Sequence, residues 1–196
     1  MKTKVAIVGF EDSQRTILSV ALTRLSGYQL IQNRNHHEWL KLFHIDEKQK
    51  DKWDNQILYI SSSFVERINS VLITPEFISN GATFSEVLYL KSKLNEGTVK
   101  MYEPQEIDVL DCLLHVACKH VALHYDMVMH IRNAFSAGFD EMSAAFYEKY
   151  LIPYKIYEGD GKTANILENV IRDVEIPKKL SVENAIYEAE RFINFS

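Results

Sequence analysis

A short, continuous apolar run, Val5-Ala6-Ile7-Val8, leads straight into Gly9. Such a run without alternation predicts a strand buried on both faces, as in a parallel sheet. The period then changes. Between Ser13 and Leu25 the positions Ile17, Leu18, Ala21, Leu22 and Leu25 fall at helical spacing, and Gly27 is placed to end that helix. Tyr28 to Ile31 reads as a second strand. His36 to Phe43 and Trp53 to Ile68 read as helices with polar faces, and the charge run 46–52 between them as a solvated linker or helix end. Phe77 to Gly81 predicts a strand ending in glycine. Thr83 to Glu86 opens a helix that Val87, Leu88, Leu90 and Leu94 continue. A long apolar-rich helix follows over Glu106 to His124, then a strand over Tyr125 to Ile131 and a mixed, partly helical stretch over Phe135 to Tyr150. Tyr154 to Tyr157 is a final short strand, and Lys162 to Val174 and Val182 to Ile193 are closing helices. Strands that alternate with helices predict βαβ units: an α/β fold with a central parallel sheet of about five strands and helices on both faces. No repeat, low-complexity segment or linker divides residues 1–196, so a single domain is expected.

Composition narrows the function classes. Hydrophobic residues make up 46% and charged residues 25%, the ordinary globular balance, which argues against disorder. The formal net charge is −5 and no basic tract stands out, so no nucleic-acid surface is expected. No apolar run approaches the ~18 residues of a membrane span. The apolar run after Lys4 is too short for a signal peptide, and two cysteines make no disulfide framework; a cytoplasmic protein is expected. Glycine numbers 7, where average usage would give about 14. The glycines that remain therefore draw attention to their places.

Gly9-Phe10-Glu11-Asp12-Ser13-Gln14-Arg15-Thr16 lies between the first strand and the first helix. Backbone N–H groups and the positive end of a helix dipole meet phosphates at such a place. The phosphate-binding pattern G-x-x-x-x-G-K-[ST] is matched by Gly9 and Thr16 and broken by Gln14 and Arg15. Gln14 brings a Cβ and an amide where a glycine lets backbone approach phosphate, and Arg15 puts a planar fork where a compact ammonium belongs. An ordinary strand-to-helix turn capped by Asp12 or Ser13 is the alternative. Even so, Glu11, Ser13, Thr16 and Leu18 line up with a loop "G-P-E-S-S-G-K-T-T-L". The stretch resembles that of P-loop small-molecule kinases of the nicotinamide riboside kinase-like group.

Two further stretches carry the same resemblance. Ser62 to Arg67 is followed by Phe77-Ile78-Ser79-Asn80-Gly81-Ala82-Thr83-Phe84-Ser85-Glu86, which looks like that group's strand ending "F-V-S-D-[RG]-S" before a helix. The family's acidic residue there serves Mg²⁺ or the accepting hydroxyl, and Asn80 takes its place without a negative charge. Tyr125-Asp126-Met127-Val128-Met129-His130-Ile131-Arg132-Asn133 resembles the strand before the mobile lid of nucleoside and nucleotide kinases. Residues 146–160 resemble their last helix, strand and loop. Family lids carry arginines, whereas Asn133 to Tyr150 contains none and leaves Arg132 at the strand end.

The resemblance implies a P-loop kinase-like fold with a lid region at about 132–150. It implies ATP and Mg²⁺ as cofactors. Gly9, Glu11, Asp12, Ser13, Gln14, Arg15 and Thr16 would surround the phosphates, Thr16 would face the metal, and Gly159 and Asp160 would lie on the adenine side. Arg15, Asn80 and Arg132 would carry catalysis. The activity implied is phosphoryl transfer from ATP to a small molecule. Gln14, Arg15 and Asn80 all weaken that one step. The alternative is therefore a catalytically silent pseudokinase that serves as a nucleotide-binding or regulatory subunit. A nucleotide or small-molecule ligand is the expected partner, with a homodimer or a protein partner left open. Apart from this, His120 and His124 share a helix face at zinc-ligand spacing, but on so apolar a helix packed histidines are expected.

Overall fold

The computed structural model describes residues 3–9, 12–34, 36–95, 97, 99, 105–132, 137–159 and 162–195, with only the backbone of 12, 13, 137, 194 and 195. Five strands, β1 (Lys4–Gly9), β2 (Gln29–Ile31), β3 (Phe77–Asn80), β4 (Met127–Arg132) and β5 (Tyr154–Glu158), form one sheet in the order β2-β3-β1-β4-β5. Every neighbouring pair is parallel. The helices are α1 (Asp12–Ser26), α2 (His36–Leu42), α3 (Trp53–Ile73), α4 (Ser85–Asn95), α5 (Glu106–His124), α6 (Ala137–Lys149), α7 (Thr163–Val174) and α8 (Val182–Phe195). The charge run holds a short 3₁₀ turn, Glu47–Gln49, whose N-terminus Asp46 caps through the backbone N–H of Lys48.

The apolar run of β1 explains the layering. Ala6 and Val8 face a core shared with α3, α4, α5 and α6, where Ile60, Leu88, Leu114 and Tyr147 pack. Val5 and Ile7 face the opposite core, shared with α1, α7 and α8, where Leu22, Leu167 and Ala185 pack. Both faces of the central strand are thus covered, which is why it needs no polar positions. Gly27 ends α1 with φ of 76°, the left-handed conformation that glycine adopts without a Cβ penalty. Most expected elements stand where periodicity puts them. The largest difference is α3, which runs five residues past Ile68 to Ile73 because Val71 still faces the core.

Register brings the strand tips together. Ile7 pairs with Asn80, Gly9 with Ile131, and Arg132 with Glu158. In an open parallel sheet, ligands sit in the crevice beyond these carboxyl ends, where the strand order reverses on either side of the first strand. Here that point lies around β1.

Candidate functional site

Gly9 ends β1 so close to β4 that a Cβ there would stand 2.7 Å from the Ile131 carbonyl oxygen. The chain then turns into α1, whose first turn carries Gln14, Arg15 and Thr16. The Arg15 guanidinium reaches across to β3: its Nε donates to Asn80 Oδ1 at 2.8 Å, and its Nη1 donates back to the Gly9 carbonyl at 3.0 Å. The Asn80 amide completes a bridge by donating from Nδ2 to Thr16 Oγ1 at 3.0 Å. Gln14 Nε2 donates to the Gly159 carbonyl at 2.8 Å, tying α1 to the turn after β5. Three sequence-predicted positions, Arg15, Thr16 and Asn80, are therefore brought into mutual contact, and Gln14 and Gly159 into a second contact beside them. Glu11 and Asp160 lie outside the described residues. Asp12 and Ser13 lie in the first turn of α1.

These residues do not fit a metal ion. Asn80 Oδ1 already accepts from a guanidinium, and a cation at 2.8 Å repels a second cation at the same oxygen. Thr16 Oγ1 is taken up by the Asn80 amide. Among the described residues no group of three or more His, Cys, Asp or Glu side chains is disposed to hold a metal. His120 instead shares a hydrogen bond at 2.9 Å between its Nδ1 and Thr83 Oγ1. Burial pushes its pKa down to about 4, with the charges of His124 and Arg67 adding to the effect.

Arg132 ends β4, where its carbonyl accepts from the Gly159 N–H at 2.6 Å. It forms an exposed ion pair with Glu158, Nη1 to Oε1 at 3.7 Å, at the far end of the β4–β5 register. Of the expected lid region, 133–136 lie outside the described residues, Arg132 ends β4, and 137–149 form α6. That helix is tied to β4 by a buried cluster. His130 contacts Asp140 Oδ1 through Nε2 at 2.7 Å and the Tyr147 hydroxyl through Nδ1 at 2.8 Å. Phe139, the neighbour of Asp140, helps line a cavity.

That cavity, of about 360 Å³, opens beside the loop. Gly9, Arg15 and Gly81 form its inner end. Tyr59 and Ile60 from α3, Glu86 and Tyr89 from α4, and Phe139 from α6 form its walls. His36, Lys50, Asp51, Gln56, Ser85 and Lys93 complete the lining. None of these beyond the loop was a sequence-level candidate. One signal was available. The buried stripe of α3 runs Trp53, Gln56, Ile60, Ser63, Arg67, Val71, and an arginine in a core-facing position demands a carboxylate. Arg67, 2% exposed, finds Glu86 at 2.8 Å and also donates to Ser79 Oγ and to the Asn80 and Gly81 carbonyls. Burial pulls the Arg67 pKa down, but the Glu86 carboxylate and the Tyr125 hydroxyl outweigh it and leave the guanidinium firmly charged. Gly81 makes room for this. Its φ is 94°, and a Cβ there would stand 3.2 Å from Arg67 Nη2.

Neither a protein-family model nor a curated protein sequence matches the chain. Solved structures do. The deoxyadenosine kinase of M. mycoides with bound dATP superposes with a TM-score of 0.63 at 12% identity, over 88% of this chain and 99% of that one. The same enzyme with the products dCMP and a flexible dCDP gives 0.62 at 12%, over 88% and 98%. With bound dCTP it gives 0.59 at 13%, over 88% and 98%. This chain has the P-loop kinase fold. Within that fold, Gly9 ends β1, Gln14, Arg15 and Thr16 lie near the start of α1, and Asn80 ends the neighbouring strand β3. No described helix is long and apolar enough to cross a membrane.

Proposed function

We propose that the protein is a nucleoside- or nucleotide-binding member of the P-loop kinase fold that does not transfer phosphoryl groups. The observation that carries this reading is the bridge Arg15–Asn80–Thr16. Phosphoryl transfer is catalysed by positioning and by neutralising charge across the β- and γ-phosphates. Here the loop cation is directed to an amide oxygen and a carbonyl, and the metal-facing hydroxyl is bonded to the same amide. The Gln14 side chain fills the flank of the loop by reaching Gly159. A nucleotide entering this end has to break those bonds first. The cavity beyond it keeps its volume, three aromatic side chains and several polar groups, as small-molecule sites do. The bound nucleotides of the structurally similar deoxyadenosine kinase agree with a ligand of that class.

The test is a phosphoryl-transfer assay with ATP and Mg²⁺ over a panel of nucleosides, run beside thermal unfolding with the same ligands. Ligand binding raises the melting temperature by mass action. The expected result is a melting shift without turnover, and Mg²⁺-dependent turnover only in the triple variant Gln14→Gly, Arg15→Lys, Asn80→Asp. Robust phosphorylation of a nucleoside by the unaltered protein overturns the reading in favour of an active kinase.

A further inference from the structure

Two neighbouring helices carry an outward face that their composition singles out. Leu58, Val65 and Leu72 on α3, and Val109, Val116 and Leu123 on α5, are 41–79% exposed. In each helix the three stand seven residues apart. That period keeps side chains on one line of a helix that packs against other helices. The inward stripe of α3, Ile60 and Val71 among it, serves the core instead. Charge is scarce where solvent contact would favour it. Between Asn55 and Ile73 the charged residues are Glu66, paired with Arg34 at 3.9 Å, and the buried Arg67. Between Val109 and Leu123 they are Asp111, which pairs with Lys91, and Lys119. The chain as a whole is 25% charged, so both helices fall well below its average.

The sheet sets the two stripes side by side. α3 leads into β3 and α5 into β4, and these strands flank β1 on either side. Both strands run parallel to β1, so the two helices run in one direction, about 10 Å apart, and they touch. Val5 pairs with Ile78 and with Met127, so the helices end about level. The stripes therefore form three layers, Leu58 with Val109, Val65 with Val116, and Leu72 with Leu123. Helices of 21 and 19 residues are about 30 Å long. Two of them side by side present a face of about 600 Å². Doubled across a contact, that reaches the ~1,200 Å² at which specific protein interfaces begin.

We propose that this face is the interface of a two-fold homodimer, α3 and α5 of each copy packing on α3 and α5 of the other as a four-helix bundle. The layers point to a second copy as the occupant. A two-fold axis crossing at the Val65–Val116 layer brings the outer layers onto each other, aliphatic against aliphatic, so the surface is complementary to itself. Charge points the same way. Each copy carries a net charge of −5, so two copies repel unless they meet through surface that holds little charge. Lys119, between the turns of Val116 and Leu123, carries its ammonium on a long stem that can reach past the rim. Pairing of copies here needs no ligand and stands apart from the ligand-binding reading.

Sedimentation equilibrium on the full chain decides it. The unaltered protein should show twice its chain mass of 22.7 kDa. Val65→Glu with Val116→Glu sets like charges face to face in the middle layer and should raise the dissociation constant about 100-fold or more. Val65→Ser with Val116→Ser adds no charge and should raise it about tenfold or more, which keeps the test open where the charged variant does not fold. Tyr187→Lys, at an apolar position of α8 that is 60% exposed, should leave the mass doubled. A chain that stays at 22.7 kDa up to about 100 µM overturns the proposal. So does a dimer that survives both pairs of substitutions, because the contact then lies elsewhere. A mass that grows past two chains overturns it too, since an open contact is not two-fold. Loss of the dimer in Tyr187→Lys as readily as in the face variants does the same.

Discussion

The loop end and the cavity end of the crevice share the strand tips of β1 and β3 but satisfy their charges in opposite ways. At the loop, Arg15 and Thr16 meet the amide of Asn80, and Gln14 meets a backbone carbonyl. Each of these bonds joins residues of the protein to each other. In the cavity wall, Arg67 and Glu86 neutralise one another behind the surface, Lys50 pairs with Glu47, and Lys93 lies over the Tyr89 ring. The loop end is closed on amide and backbone oxygens, and the cavity wall on a buried ion pair.

Arg67 is the pivot between the two ends, and removing it should have the largest effect. Its guanidinium braces the Ser79–Gly81 turn and holds Glu86 in the wall. Taking away one member of a buried pair costs about 3–5 kcal/mol, because the other is left uncompensated. Arg67→Met should lower stability by that amount in urea unfolding. The double change Arg67→Met, Glu86→Gln should recover a large part of it. A loss under about 1 kcal/mol in the single variant would mean that Glu86 rehydrates freely and that the wall is not held by this pair.

Asn80→Ala comes next, and it acts on the loop alone. Both hydrogen bonds of the amide vanish, at about 0.5–1.5 kcal/mol each. The cavity loses no lining residue, so ligand affinity measured by calorimetry should change less than stability does. Equal losses of both would show that the loop lock and the cavity form one unit, and the contrast between the two ends would fail.

The comparison also explains what could be read before the fold was known. The five strands were legible because each is a local pattern: Val5 to Val8 announces a buried strand within four residues. The limits of α5 were legible for the same reason, since its apolar period runs unbroken from Glu106 to His124. The positions Gln14, Arg15, Thr16 and Asn80 were found by resemblance, but their bonding was not. Arg15 and Asn80 are 65 residues apart, and only the parallel register of β1 with β3 joins them. The ion pair of Arg132 with Glu158 likewise depends on the register of β4 with β5. The cavity was illegible for a further reason. Its walls come from three helices, and which face each helix presents depends on packing against both cores. Only Arg67 betrayed it, as a charge in an apolar stripe.

The smallest expected effect belongs to Gln14. Its amide makes one partly buried hydrogen bond, Nε2 to the Gly159 carbonyl at 2.8 Å, between the start of α1 and the turn after β5. Gln14→Ala removes that bond and leaves helix propensity undiminished, since alanine is the better helix former. The net cost should be about 0.5–1 kcal/mol, because the freed carbonyl regains water at a site that is not fully enclosed. The more telling readout is nucleotide binding. If Gln14 blocks the flank of the loop, its removal should enlarge the rise in melting temperature that ATP gives without Mg²⁺, relative to the unaltered protein. Arg15→Ala in the same background should abolish the gain, since Arg15 is the only described cation of the loop. A Gln14→Ala protein that responds to ATP no more than the parent would locate the barrier in the Arg15–Asn80–Thr16 bridge alone.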